Sequence, residues 1–262
     1  MRLGFSPITA MMLDADAAFA LADELDLAFV ELSADVREIA PALEDERRVR
    51  ELTRATGIGT TVHLSYIDLN LASLSPSARA TSVDRIRAGL DYAHAVEATC
   101  GVLHSGFQYI RHPLVDPLVD EALTSSLRAL EGSAVEIVLE NLALGRHDYL
   151  DGHEQLRERV QRHGLRACID VGHAHVEATR DGDTSIAAYL DALGDDVTHL
   201  HLHDNHGQRD EHLPCGAGSI DYASLRPYLA TFTGTACLEI EGGAEAVREA
   251  VRSLRALLGG AS

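Results

Sequence analysis

Short apolar runs alternate with amphipathic segments about every thirty residues, and this spacing predicts a strand followed by a helix eight times over. The expected strands cover residues 3–6, 29–32, 60–64, 101–104, 136–140, 167–170, 197–203 and 236–241. The segments DADAAFALADEL, EDERRVRELTRAT, ARATSVDRIRAGLDYAHAV, VDEALTSSLRAL, HEQLRERVQRH, SIAAYLDAL, YASLRPYL and AEAVREAVRSLRALL space apolar residues three and four apart, as helices with one face on a sheet do. Gly57, Gly132, Gly164 and Gly194 stand where helix stops belong. Eight strand–helix units close a (β/α)8 TIM barrel of the α/β class, and 262 residues suit one barrel of roughly 250. No proline-rich linker or low-complexity segment breaks the alternation, so residues 1–262 are expected to form a single domain.

Six of these apolar runs stop on a metal-ligand residue type: TTVHL at His63, GVLH at His104, EIVLE at Glu140, ACID at Asp170, THLHLHD at His201 and ACLE at Glu239. Strand ends of a barrel are where its chemistry sits, and buried imidazoles and carboxylates without a partner are costly. In THLHLHD, His199, His201 and His203 share one strand face while Leu200 and Leu202 share the other, which points the histidines towards the barrel axis. Glu239 and Glu241 also share a face, so either could be the ligand. Beyond two strands the pattern continues into loops. IDVGHAH offers His173, with His175 as a spare, and RDEH offers Asp210 and His212 ahead of the turn-prone PCGAGS. Imidazole and carboxylate together suit zinc, manganese or iron, in one to three ions, whereas an all-oxygen cage would suit magnesium or calcium. His94, His112, His147, His153 and His163 have no partner motif and read as ordinary helix or loop residues, and His199 and His206 stay unassigned.

Charge narrows the partners. The formal net charge is -19, from 41 acidic and 22 basic residues, and the basic ones are all Arg. Such a surface repels polyphosphate at long range, although bound metal would neutralise part of it locally. The stretches SADVREIAPALED, VEATRDGDTS and DNHGQRDEH are expected as acidic loops around the mouth, so nucleic acid is a disfavoured partner. Cys100, Cys168, Cys215 and Cys237 form no CxxC pair and read as buried thiols of a reducing compartment. With no basic leader ahead of a long apolar run and no apolar stretch of membrane-spanning length, a cytoplasmic protein without membrane contact is expected, and a homo-oligomer stays open.

In TVHLSYIDLNLAS, GVLHSGF, VLENL, CIDVGHAH, HLHDN and RDEHLPCGAGSID, taken in that order, the chain resembles the xylose isomerase-like barrels, a superfamily that includes endonuclease IV and many sugar isomerases and epimerases. The resemblance covers the whole chain. It implies that His63, His104 and Glu140 hold one metal and that Glu140 bridges to a second, which also takes Asp170, His201 and Glu239. His173, Asp210 and His212 would hold a third. The full set accompanies phosphodiester hydrolysis in endonuclease IV, whereas the sugar epimerases commonly keep the central site alone. The sequence departs from endonuclease IV at Ser65 and Ala217, where Pro and Glu are usual. The acidity ranks an isomerase or epimerase of a small sugar, sugar phosphate or related polyol first, with Glu140 and Glu239 exchanging a carbon-bound proton, His173 polarising a substrate oxygen, and Glu31 and His203 holding substrate. A multinuclear phosphoester hydrolase ranks second.

Overall fold

The computed structural model describes residues 1–11, 14–143, 152–182 and 185–259. Eight parallel strands close into a barrel in the order β1 to β8: Arg2–Phe5, Phe29–Ser33, Gly59–His63, Cys100–Leu103, Glu136–Glu140, Arg166–Asp170, Val197–Leu202 and Thr235–Leu238. The surrounding helices are α1 Ala15–Glu24, α2 Ala34–Ile39, α3 Glu46–Thr56, α4 Pro76–Ala95, α5 Asp116–Leu130, α6 His153–His163, α7 Val171–Asp181, α8 Ile186–Leu193, α9 Tyr222–Thr231 and α10 Gly243–Gly259. All eight expected helices are present, and α2 and α7 are additional. The α2 segment has only six residues, too few for a full apolar stripe, whereas α7 has eleven and opens inside the donor-rich run IDVGHAH, which the pattern assigns to a strand exit and loop. Each starts on a cap from the end of the preceding strand: the Ser33 hydroxyl accepts from the Val36 N–H, and the Asp170 carboxylate from the His173 N–H at 2.7 Å. Gly57 and Gly164 end α3 and α6 in left-handed conformation, as the sequence pattern anticipates.

Strand alternation sorts the side chains into two cores. Leu200 and Leu202 face outward into one buried cluster with Val171, Ala174, Tyr189 and Leu193 of the helices behind them. Inside the barrel a smaller cluster of Cys100, Val102, Val138 and Cys168 fills the lower layer. The four cysteines are free and buried. Among the described residues no helix is long and apolar enough to cross a membrane.

Register explains why six strand ends converge. A barrel of eight strands with a shear of eight climbs about one residue per strand, yet inward positions recur only every second residue. The rim therefore has to alternate between steps of none and two. His63 pairs with Val102, two residues before His104; Leu103 pairs with Leu139, so His104 and Glu140 leave the sheet level. Glu140 pairs with Cys168, two before Asp170; Asp170 pairs with His201; His201 pairs with Cys237, two before Glu239. Each ligand-type residue stands at its strand's exit, facing the axis.

Candidate metal centre

Four consecutive strands, β5 to β8, deliver Glu140, Asp170, His201 and Glu239 to one point. The His201 Nδ1 lies 3.0 Å from Glu140 Oε1, 3.3 Å from Glu239 Oε2 and 3.7 Å from Asp170 Oδ2. The other oxygen of Glu140 turns to β3 and β4, with His104 Nε2 at 2.9 Å and His63 Nε2 at 3.6 Å. A third group rises from the first turn of α7 and the loop beyond β7. There Asp210 Oδ2 meets His212 Nε2 at 2.8 Å and His173 Nε2 at 3.2 Å. All nine residues singled out as ligands thus come together. Glu241 is exposed, which leaves Glu239 as the carboxylate of that strand end within the site.

Tautomers are set from behind. A backbone carbonyl accepts only from an N–H, so each histidine that meets one there has, in its neutral form, the lone pair on its other nitrogen. His63 Nδ1 donates to the Leu64 carbonyl at 2.9 Å, His173 Nδ1 to that of Asn141 at 2.8 Å, and His212 Nδ1 to that of Glu239 at 3.0 Å. All three direct Nε2 at carboxylate oxygens. Asn141 also ties down Asp170, its side chain exchanging two hydrogen bonds of 2.8 and 3.0 Å with the Asp170 backbone.

The electrostatics are those of a cation site. Burial opposes the charge on Glu140, but His201 and His104 beside it hold its carboxyl well below the usual range. Burial likewise opposes a proton on His201, yet Glu239, Glu140 and Glu31 are among the groups that hold it well above the ordinary imidazole value. His212 is raised to about 9 against burial by Asp210 and Glu239, and His173 is raised by Asp170 and Asp210. With burial leading, His104 is lowered. Protons on the histidines offset carboxylate charge in a place that excludes water, and divalent cations on the same donors would do so with better geometry. Donor atoms of His63, His104 and Glu140, and of His203, Asp210 and His212, lie within 4.8 Å of one another. The donor set fits borderline transition metals.

A cavity of about 140 Å³ opens on these donors, lined on its other side by Ile8, Thr9, Tyr66 and Leu142. Tyr66 was not singled out from the sequence. Its place three residues after His63 was the available signal, and its ring packs 4.9 Å from His63 and 5.0 Å from His104. Burial, aided by Glu239, raises its phenol and keeps it a hydrogen-bond donor.

Two assignments change. Glu31 and His203, expected to hold substrate, have no exposed surface and do not line the cavity. Glu31 sits one layer below the rim, paired in register with Thr61, and faces His199 and His201. His203 lies behind Asp170, its Nε2 at 3.0 and 3.1 Å from the two carboxylate oxygens. His175 bonds Ser219 and His206 bonds Glu211. His147 lies outside the described residues.

The expected acidic mouth is also different in kind. Asp35 is buried, pairing with Arg85 at 3.0 Å and accepting from the Tyr66 and Ile67 N–H groups. Glu44 is buried and, chiefly by desolvation, raised to about 8. Asp204 accepts from the Asn205, Gly216 and Ile220 N–H groups. Beside β3 and β4 the rim instead exposes Tyr66, Ile67, Tyr109 and Ile110.

Comparison with known proteins gives the chain its relatives. It is 28% identical over 254 residues to the uncharacterized protein MJ1614 of Methanocaldococcus jannaschii, covering 92% of each. It is 31% identical over 186 residues to a probable endonuclease 4 of Halobacterium salinarum, covering 64% of each. Among solved structures, a D-tagatose 3-epimerase-like protein matches with a TM-score of 0.81 at 24% identity over 99% of this chain and 97% of that one, a likeness of fold. The TTHB071 protein of Thermus thermophilus, soaked with zinc chloride, matches with a TM-score of 0.73 at 27% identity over 100% of both chains. Sugar epimerases and endonuclease IV both stand among the structural neighbours. A family model described as xylose isomerase-like TIM barrel matches residues 19–257, and the chain belongs to that family.

Proposed function

We propose that this protein is a multinuclear metallohydrolase that cleaves a phosphoester in a compact substrate. The observation that carries the reading is that nine ligand-type side chains stand side by side, Glu140 reaching His104 with one oxygen and His201 with the other, and Asp210 meeting both His173 and His212. An isomerase or epimerase with one ion would use the central set, with His173 on the substrate, and leave His63, His104, Asp210 and His212 without a role. Bound divalent ions would supply Lewis-acid polarisation of a phosphoryl oxygen and water of lowered pKa. Zinc suits the mixed imidazole and carboxylate donors.

The chain's own part is positional. Glu140 turns one oxygen to each of two sets and so fixes their separation. Tyr66 offers a phenolic hydrogen bond to a substrate oxygen at the mouth, and Ile8 and Leu142 narrow the cavity against bulk water. Its volume suits one compact group held at the donors. The likeness to a probable endonuclease 4 supports the reaction class, and the net charge of -19 favours a small substrate over a duplex.

A metal-dependent isomerase or epimerase of a small carbohydrate is the second reading. It is favoured by Glu140 and Glu239, which reach the same His201 nitrogen from strands three places apart round the ring. Carboxylates on two sides of one site can remove a proton and return it on the other face.

Metal stoichiometry combined with a substrate panel separates the two. Zinc-loaded protein is expected to hold about three ions and to release phosphate or alcohol from small phosphoesters. Replacing both His63 and His104 with Ala should remove about one ion and leave the central set loaded. One ion per chain, with proton exchange at a sugar carbon and no phosphoester cleavage, would replace the first reading by the second.

A further inference from the structure

His201 is oriented the opposite way from the three carbonyl-pinned histidines. His63, His173 and His212 place Nδ1 on a backbone carbonyl and Nε2 on the donor carboxylates. His201 instead turns Nδ1 to the carboxylates and Nε2 down into the barrel. There Glu31 meets it, with Oε1 3.1 Å from His201 Nε2, and the Cys168 thiol also lies beside the imidazole. Neither residue has any exposed surface, so the contact is shielded from bulk water.

We propose that Glu31 is a positioning residue for the central metal set, holding the proton of His201 on Nε2 so that Nδ1 presents its lone pair to the ion. The inference rests on the central set binding a divalent cation. Glu31 does for His201 what a backbone carbonyl does for the other three, but with a full negative charge, which also makes the imidazole a stronger donor.

The surroundings of Glu31 fit this task. The Thr61 hydroxyl donates to its Oε2 at 2.8 Å, and His199 Nε2 lies 3.1 Å from the same oxygen. His199 Nδ1 in turn meets the Thr235 hydroxyl at 2.7 Å. With an ion on the donors, both imidazoles would carry a proton on Nε2 towards Glu31 and Nδ1 of His201 would be left bare. The two imidazole contacts are short enough for hydrogen bonds but imperfectly aligned, since neither Nε2 atom nor Glu31 Oε1 makes a well-formed one. A carboxylate tolerates this better than an amide would, because its attraction to an N–H dipole is less directional. With Gln at position 31 the amide NH2 could face either imidazole, and His201 would be free to accept there and place its proton on Nδ1, against the ion.

Zinc alone serves as the probe. Chelator competition on wild type and Glu31→Gln is expected to show one ion released at about 10- to 100-fold lower chelator concentration in the variant, with the remaining ions unchanged. Thr61→Val, which keeps shape and loses only the hydroxyl, should shift the same ion in the same direction by a few-fold and covers the case in which Glu31→Gln does not fold. In zinc-loaded wild type, nitrogen-resolved NMR should find the His201 ring proton on Nε2, downfield and slow to exchange, and Glu31→Gln or Thr61→Val should move it upfield. A role confined to packing would lower thermal stability without moving that proton or singling out one ion. Unchanged affinity of every ion in folded Glu31→Gln, or a wild-type His201 without a proton on Nε2, would overturn this inference alone. Wild type that takes up no zinc would overturn the metal reading beneath it.

Discussion

Gly172→Ala sets helix propensity against packing, and the magnitudes decide between them. Gly172 is the second residue of α7, where propensity alone favours Ala by up to about 1 kcal/mol. A β-carbon there would stand 1.9 Å from His203 Cε1 and 2.5 Å from both ring nitrogens. To restore ordinary contact the ring must retreat by about 1.5 Å, and it has nowhere to go. His212 stacks on it with centroids 4.3 Å apart, and its Nε2 is held at 3.0 Å by Asp170. The helix start is pinned too, because the Asn205 side chain donates to the Gly172 carbonyl at 3.0 Å and the Tyr222 hydroxyl to that of His203 at 2.8 Å. Overpacking of this kind costs roughly 1–3 kcal/mol, and losing a hydrogen bond to a charged group roughly 1.5–3. Net of propensity, Gly172→Ala is expected to destabilise by about 2–5 kcal/mol, a fall in Tm on the order of 10 °C for a chain of this size. Thermal unfolding of metal-free protein is the assay, since bound ions would add stability by mass action. A Tm equal to or above wild type would refute the packing argument.

Glu140→Gln keeps volume and removes the charge shared between two donor sets, so it should leave less than a tenth of the activity on any identified substrate with an unchanged circular dichroism spectrum. Retention of more than that removes Glu140 from the chemistry. In metal-free protein the raised value of His212, about 9, means that its pairing contributes fully below the free imidazole value of about 6.5 and is lost as pH rises through 9, so Tm should fall across that window. Zinc affinity should rise over the same window because the protons leave as the ion enters; a metal-free Tm that is flat or rising counts against the pairing. Glu44, raised from 4.5 to about 8 chiefly by burial, makes Tm fall between those two values, overlapping only the lower part of that window, and Glu44→Gln should remove its share. Labelled abasic duplex DNA should bind no tighter than about 10⁻⁴ M at physiological salt, given the net charge of -19. Micromolar binding with steep salt dependence would restore a duplex as the substrate.

The rim was legible because its two periodicities are local. Alternation within THLHLHD told His201 from Leu202 without any knowledge of neighbours, and six strand exits carrying ligand types made a ring of donors the economical reading. What charge counted along the chain left out was its placement. Asp35, Glu44 and Asp204 belong to stretches expected as acidic loops, yet one is ion-paired with Arg85, one is raised to about 8 and one caps a turn. Formal charge is additive in sequence, but the field at a mouth depends on which charges are desolvated or paired, and that is decided by packing. Glu31 and His203 were misplaced for a related reason. Parity told that His203 faces the axis and said nothing of height, which for both residues comes from the stagger between strands.

The sequence by itself determined the barrel, its eight strands, the eight stripe-bearing helices and the list of nine donors, because hydrophobic period and residue type are written residue by residue. Only the tertiary structure decided how the donors are shared. That Glu140 divides its two oxygens between sets, that three histidines are pinned through Nδ1 to backbone carbonyls, and that Glu31 meets His201 from below follow from registers between strands far apart in the chain. Such distances are set by barrel closure, in which each strand's height depends on all the others, and no local pattern carries that information.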